Sequence, residues 1–279
     1  MNVLEAIIIF RDHQVSTLKR STRQSYDYLL VKLQQCLADR PLNSISADDV
    51  SKFLESIVGC ASKSTRRLRY AQVKAFFNYM IDRCELDIKN PCAYPLLSKQ
   101  FKTPKQIPKR ILDKELVDEL IYKTSSSRDR LILELQARCG LRVGEVLNLT
   151  VADVADRKLI IREPKSGKDT EIAFMPEQIA RRLGEYISSK SLRPDDRLFP
   201  ICYSTVRSLI KKLGAQFNMN ISPHDFRRHS ATFASRNGVP LEIISKVLLR
   251  HHDLKTTQVY LGKVTDSEAI RWMDTLHGK

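Results

Sequence analysis

No two of the six cysteines (Cys36, Cys60, Cys84, Cys92, Cys139 and Cys202) form a CxxC pair. That argues against a zinc site and a disulfide framework, and fits reduced thiols in a cytoplasmic protein. The chain lacks a GxxxxGK[ST] loop, the glycine-rich cradle that P-loop enzymes wrap around phosphates. Glycine and proline are scarce, at 9 and 11 of 279 residues, which fits a folded, helix-rich chain. No apolar stretch approaches the ~20 residues needed to span a bilayer. The short apolar run Ala6 to Phe10 follows Glu5 and stops at Arg11, unlike a signal peptide. No membrane, resident metal or cofactor is expected.

Cationic residues are abundant. Lys and Arg number 47 against 32 Asp and Glu, a formal net charge of +15. Such a surplus works against compactness through self-repulsion. A nucleic-acid partner is the usual reason, because each neutralised phosphate releases condensed counterions. The plainer alternative is a generally basic protein.

The first ~97 residues read as helices. Apolar residues recur at helical spacing from Thr17 to Leu37, and Ser46 with Asp48 and Asp49 marks a helix start. Ser64 to Cys84 reads as an amphipathic helix, with Leu68, Val73, Phe76, Phe77 and Met80 inward. Its early turns carry Lys63, Arg66, Arg67, Arg69 and Lys74, which read as phosphate contacts or as a solvated face. Asn90-Pro91 ends this region.

Lys99 to Arg110 has two prolines and no acidic residue. It reads as an extended basic linker, with Lys102, Lys105, Lys109 and Arg110 tracking a phosphate backbone. The expected division is therefore a helical, nucleic-acid-binding domain over 1–97, a linker over 98–110 and a second domain over 111–279. In the second domain Asp113 is expected to cap a helix ending near Tyr122. Arg128 to Cys139 forms another helix, stopping at Gly140. Lys158 to Arg162 and Thr170 to Phe174 make a β-hairpin around Pro164-Lys165-Ser166-Gly167-Lys168.

Four pieces of this domain carry chemistry together. Arg142 follows Gly140 at a helix start, where a guanidinium can meet an anion. Lys165 sits at the hairpin tip, with Lys168 as its substitute under another register. His224 and Arg227, three residues apart at a helix start, share one face and can reach one ligand. His251 precedes Tyr260 by nine residues. Each alone has a plain structural reading: a surface arginine, a turn lysine, a buried histidine, a core tyrosine. The His251-His252 pair does not suggest a metal, because adjacent side chains diverge and no carboxylate pattern completes a site.

The motifs GLRVGE around Arg142, HDFRRH from His224 and LLRHHDLKTTQVY up to Tyr260 resemble, in order and spacing, the tyrosine recombinase family of phage-integrase and Xer-type enzymes. The likeness is strong over the second domain and loose over the first. It implies a mainly α fold with a small antiparallel β-sheet, arranged as a two-domain C-shaped clamp around duplex DNA. It further implies cutting and rejoining of double-stranded DNA at a specific recombination site through a 3′-phosphotyrosine, without metal or ATP.

By the same resemblance Tyr260 is the nucleophile, and Arg142 and Arg227 bind the scissile phosphate. Lys165 protonates the leaving 5′ oxygen, and His224 and His251 move protons or hydrogen-bond the phosphate. Glu145 holds Arg142 from behind. A homo-oligomer on DNA is implied, a tetrameric synapse in which a C-terminal helix with Ile270, Met273 and Leu276 passes to a neighbouring protomer. Arg250 stands where the family commonly has Gly, and is expected to add a cation near the phosphate. Gly144 and Arg228 depart from the frequent Ser and His. The rival readings are a type IB topoisomerase-like enzyme, a catalytically silent DNA-binding regulator and a metal-dependent nuclease.

Overall fold

A computed structural model describes residues 1–102, 111–164, 169–258, 261, 270 and 273–275. The chain divides into two compact units, Met1–Ile107 and Pro108–Lys279. The architecture is mainly α with one small antiparallel sheet, as expected from the sequence.

The first unit is built from helices α1 (Val3–Thr17), α2 (Arg20–Leu37), α3 (Ala47–Val58), α4 (Lys63–Cys84) and the short α5 (Pro95–Gln100). Helix α1 begins with a reciprocal cap. The Glu5 N–H donates to Asn2 Oδ1 at 2.9 Å, and the Asn2 N–H donates to Glu5 Oε2 at 3.0 Å. Ser46 and Asp49 repeat this device at α3. Val73, Phe76, Phe77 and Met80 of α4 are buried against Phe10 and Leu29, and Phe10 meets Phe76 edge-on at 5.3 Å.

Three sequence expectations change here. The apolar pattern from Thr17 to Leu37 does not start a single helix, because Leu18 and Lys19 are extended between α1 and α2. Leu68 is exposed, and Tyr70 takes the inward place, donating its hydroxyl to the Cys92 carbonyl at 2.7 Å. The expected linker begins too early. Lys99 and Gln100 close α5, and Phe101 is buried, stacked on Tyr70 at 5.4 Å. An aromatic ring of that area is held by burial wherever the core accepts it. The rest of that stretch, including Lys105, Lys109 and Arg110, lies outside the described residues.

The second unit is centred on α7 (Ser127–Arg138), buried on most of its surface through Leu131, Ile132, Leu133, Leu135 and Ala137. Around it lie α6 (Lys114–Tyr122), α8 (Val143–Asn148), α9 (Glu177–Ser189), α10 (Tyr203–Ala215) and α11 (Pro223–Arg236). Asp113 occupies the cap position of α6, but its side chain makes no capping hydrogen bond. The buried Glu134 carboxylate of α7 is answered by Arg182 of α9 at 2.8 Å.

The sheet has the order β1 (Val154–Ala155), β2 (Lys158–Arg162), β3 (Thr170–Phe174), all antiparallel. Leu159, Ile161 and Ala173 face the core. Arg162 pairs with Thr170, so β2 and β3 form the expected hairpin. β1, with two residues, is too short to show a sequence period. After α11 come α12 (Leu241–Ile243), a π-helical turn at Ile244–Leu248, and α13 (Leu254–Gln258). No described helix is long and apolar enough to cross a membrane.

Candidate active site

Gly140 is the first fixed point. Its φ is +62°, and a Cβ there would lie 2.9 Å from the Leu248 carbonyl oxygen. Only glycine lets the backbone after α7 approach the π-helical turn this closely. The carbonyl of Gly140 thereby comes within reach of Arg227 on α11.

Arg227 is 1% exposed. A guanidinium so deeply buried is tolerable only when its donors are used. Its Nη1 donates to the Gly140 carbonyl and its Nη2 to the Leu249 carbonyl. Nη2 also lies 3.3 Å from His251 Nε2. One side chain thus ties the end of α7, α11 and the loop carrying His251.

The loop geometry follows from two irregularities. In the π-helical turn the Leu249 N–H donates to the Ile244 carbonyl at 2.9 Å, five residues back, and widens the backbone. Arg250 then takes a left-handed conformation, φ +51°. That conformation costs a non-glycine residue roughly 1–2 kcal/mol. The chain reverses, and the His251 N–H donates to the Ser245 carbonyl at 2.8 Å.

The imidazole is therefore held at both nitrogens. Nδ1 lies 2.9 Å from Thr257 Oγ1, which itself donates to Ser245 Oγ at 2.9 Å. With the Thr257 proton committed to Ser245, the hydroxyl accepts from Nδ1–H, and Nε2 is left as an acceptor facing Arg227. Burial, followed by Arg227, Arg142 and Arg250, pulls His251 down to about 4, against the opposing pull of Glu145. At neutral pH the ring is uncharged.

Arg142 enters at the start of α8. Its Nη1 donates to Glu145 Oε1 at 2.5 Å, and its backbone N–H donates to Oε2 at 2.9 Å. The Arg142 side chain keeps 22% of its surface exposed, whereas Glu145 keeps 8%. Burial pushes the Glu145 carboxyl up, but Arg250, Arg227 and Arg142 outweigh it and the net shift is downward. Glu145 thus stands as a charged brace behind Arg142.

Arg250 is not the additional phosphate-facing cation that the sequence suggests. It is buried, with Nη2 2.6 Å from Glu145 Oε2, Nη1 3.0 Å from the Leu248 carbonyl, and Nε 3.6 Å from Glu171 Oε2 on β3. Three guanidinium groups against two carboxylates, with His251 neutral, leave this cluster net positive around a partly open Arg142.

Arg142, Glu145, Arg227 and His251 are therefore brought together. His224 stands exposed in the first turn of α11, where the Ser222 N–H donates to Asp225 at 2.8 Å. Lys165 and its substitute Lys168 lie outside the described residues, as does Tyr260. Thr257 and Ser245 escaped sequence reasoning, because a threonine and a serine twelve residues apart carry no periodic signal. Among the described residues no group of three His, Cys, Asp or Glu side chains lies close enough to hold a metal ion.

In the first unit the expected basic residues divide. Lys63 and Lys102 are exposed. Arg67 lies over the Tyr70 ring at 5.2 Å, and Arg66 over Phe101 at 5.6 Å. Lys74 is half-buried. Arg69 is engaged inside the unit: Nη1 donates to the Ser25 carbonyl at 2.7 Å and to Gln72 Oε1 at 2.9 Å, with the guanidinium 4.5 Å over Tyr28.

A buried, neutral histidine facing a buried arginine, next to a carboxylate-braced second arginine, is a site for polarising a phosphoryl group. The phage integrase family matches residues 110–266, and the phage integrase N-terminal SAM-like domain matches residues 13–83. The chain belongs to the phage integrase family and is a tyrosine recombinase, an enzyme of site-specific recombination. It is 33% identical over 238 residues to tyrosine recombinase XerA of Pyrococcus horikoshii, covering 80% of this chain and 77% of that protein. It is 28% identical over 270 residues to tyrosine recombinase XerD of Proteus mirabilis, covering 89% and 85%. The same fold occurs in the Tn1549 transposon integrase in complex with transposon right end DNA, at TM-score 0.77, 18% identity and 99% of both chains.

Proposed function

We propose that this recombinase cleaves and rejoins duplex DNA at a specific site with Tyr260 as nucleophile, on the residue set Arg142, Lys165, His224, Arg227 and His251. The reading is carried by the contact of Arg227 with His251 beside the Glu145-braced Arg142. Arg142 and Arg227 grip the non-bridging oxygens of the scissile phosphate. The Tyr260 phenol oxygen attacks phosphorus, the bond from phosphorus to the 5′ oxygen breaks, and Lys165 gives that oxygen its proton.

A free phenol with a pKa of about 10 is ionised in only about one molecule in a thousand at neutral pH, a deficit of roughly 4 kcal/mol. The single lone pair of neutral His251 Nε2 faces Arg227 in the free chain. Once Arg227 turns that donor to the phosphate, the lone pair is released to take the phenol proton. Entry of an anionic phosphate offsets the surrounding arginines and raises the basicity of His251 when it is needed. His224 hydrogen-bonds the phosphate from the first turn of α11. The phosphotyrosine keeps the energy of the broken DNA bond, so rejoining needs no nucleotide hydrolysis.

In this reading the helical domain that ends with α5 and Phe101 grips the duplex, the basic segment after Phe101 links it to the second domain, and 111–279 carry the chemistry. Lys63, Arg66, Arg67, Lys74, Lys102, Lys105, Lys109 and Arg110 meet phosphates, whereas Arg69, tied to the Ser25 carbonyl, holds α4 to α2. Four protomers form the synapse, each donating its C-terminal segment to a neighbour. Deleting residues 265–279 is expected to leave DNA binding by single protomers intact and abolish cooperative assembly on paired sites.

The deciding experiment uses nicked duplexes drawn from the DNA flanking the gene. A covalent protein–DNA adduct is expected, stable in EDTA, and absent from Tyr260→Phe. An adduct that survives in Tyr260→Phe overturns the assignment of the nucleophile, and no adduct on any duplex from the protein as isolated overturns the cleavage reading.

A further inference from the structure

We propose that Arg250 is a positioning residue for the strand-cleavage reaction, clamping Glu145, and through it the Arg142 guanidinium, to Glu171 on β3. This rests on the reading that Arg142 grips the scissile phosphate.

The backbone at Arg250 is left-handed, a conformation that glycine adopts freely and arginine does not. A long cationic side chain at such a position is retained when its contacts offset the strain. Those contacts are selective. Glu145 gives Oε1 to the Arg142 side chain, while Oε2 takes the Arg142 backbone N–H and Arg250 Nη2. Arg250 therefore does not compete for the oxygen that holds the Arg142 guanidinium; it fixes the other oxygen and, with it, the plane of the carboxylate.

Glu171 supplies the far anchor. Its side chain is 9% exposed on the inward side of β3, next in register to buried Ala173. Among the described residues its Oε2 has no hydrogen-bond donor, and it lies 3.6 Å from Arg250 Nε. A carboxylate so placed requires a cation, and Arg250 meets it. The third arm, Nη1 on the Leu248 carbonyl, stiffens the turn that presents His251.

A merely structural brace and a positioning residue differ at His251. Facing that ring are Arg227 from α11, Arg142 and Glu145 from the start of α8, and Arg250 from its own loop, with Glu171 behind Arg250 on β3. Lys246 of the π-helical turn reaches the His251 and His252 carbonyls. Removing Arg250 deletes one cation from this set, so His251 should take up a proton at higher pH.

The test uses the full chain with Arg250→Gly, Arg250→Lys and Glu171→Gln. Adduct formation on a nicked duplex carrying the mapped cleavage site is followed in single turnovers across acidic and neutral pH, with DNA affinity measured separately. Arg250→Gly is expected to slow adduct formation roughly tenfold, the size of one hydrogen bond to a charged group. DNA affinity should stay unchanged and the acid limb of the rate profile should move up in pH. Arg250→Lys should recover part of the rate. Glu171→Gln should act in the same direction, and its combination with Arg250→Gly should be no worse than Arg250→Gly alone.

Unchanged rates in both Arg250→Gly and Glu171→Gln overturn the proposal, as does a slower rate matched by an equal loss of affinity. If Arg250→Gly does not fold, Arg250→Lys and Glu171→Gln decide by the same readings. Arg142→Ala separates the two layers. A wild-type rate there removes the underlying reading of the site, whereas an inactive Arg142→Ala beside an unaffected Arg250→Gly removes only the role of Arg250.

Discussion

Arg227 Nη2 stands 3.3 Å from His251 Nε2, while His251 Nδ1 is engaged by Thr257. A guanidinium can only donate, so this contact has a direction: the ring must offer a lone pair to Arg227, and its proton must sit on the far nitrogen. The arrangement fixes the tautomer of the histidine before any DNA arrives.

The first prediction concerns pH and stability. His251 is depressed to about 4 in the folded chain, below its ordinary ~6.5. Between those values the unfolded chain binds a proton that the folded chain refuses. The His251 contribution to stability is therefore complete above about pH 6.5 and is lost as the pH falls toward 4. Urea midpoints measured at several pH values should fall through this window. His251→Gln should flatten that fall; an identical pH dependence in wild type and variant contradicts the prediction.

Thr257→Val keeps the shape of the side chain and removes the hydroxyl that receives Nδ1–H. It also leaves the buried Ser245 hydroxyl without its donor. The expected result is a five- to tenfold slower adduct formation, about 1 kcal/mol, with DNA binding retained. Single-turnover cleavage is the measurement, and a wild-type rate would show that His251 does not depend on this hydroxyl.

Gly140→Ala places a methyl group 2.9 Å from the Leu248 carbonyl oxygen at a φ of +62°. The left-handed backbone costs roughly 1–2 kcal/mol, and the crowding adds to it. A loss of about 2 kcal/mol or more should be read from the urea midpoint at constant slope. Because the Gly140 carbonyl receives Arg227, adduct formation should fall along with stability. A midpoint within experimental error of wild type would mean that the turn has room to move.

Arg69 and Lys63 should separate stability from binding. Arg69 joins α4 to the Ser25 carbonyl of α2, so Arg69→Ala should lower the melting temperature of the chain. Exposed Lys63 should leave the melting temperature alone. If it neutralises one phosphate, Lys63→Ala should reduce the slope of log affinity against log salt by about 0.9. The reverse pattern in the two variants would reassign them.

The sequence by itself determined the elements that rest on local rules. The strands Lys158–Arg162 and Thr170–Phe174 follow from their β-like runs flanking a turn-forming PKSGK segment, and the structure keeps those bounds. The start of α3 follows from Ser46 and Asp49, whose reciprocal hydrogen bonds are local. The motifs around Arg142, Arg227 and His251 were legible as candidates from their order and spacing, and the fold brings these three side chains together, while His224 stays exposed in the first turn of α11. Tertiary structure decided the rest. Whether Leu68 or Tyr70 turns inward on α4 depended on a carbonyl at Cys92. Phe101 left the basic segment because a buried ring beside Tyr70 outweighs local composition. Arg250 turned from a free cation into a buried clamp because a π-helical turn and one left-handed residue aimed it at Glu145 and Glu171. Periodicity and capping act over a few residues. Charge burial is settled between segments a hundred residues apart, as the 2.6 Å contact between Arg250 and Glu145 records.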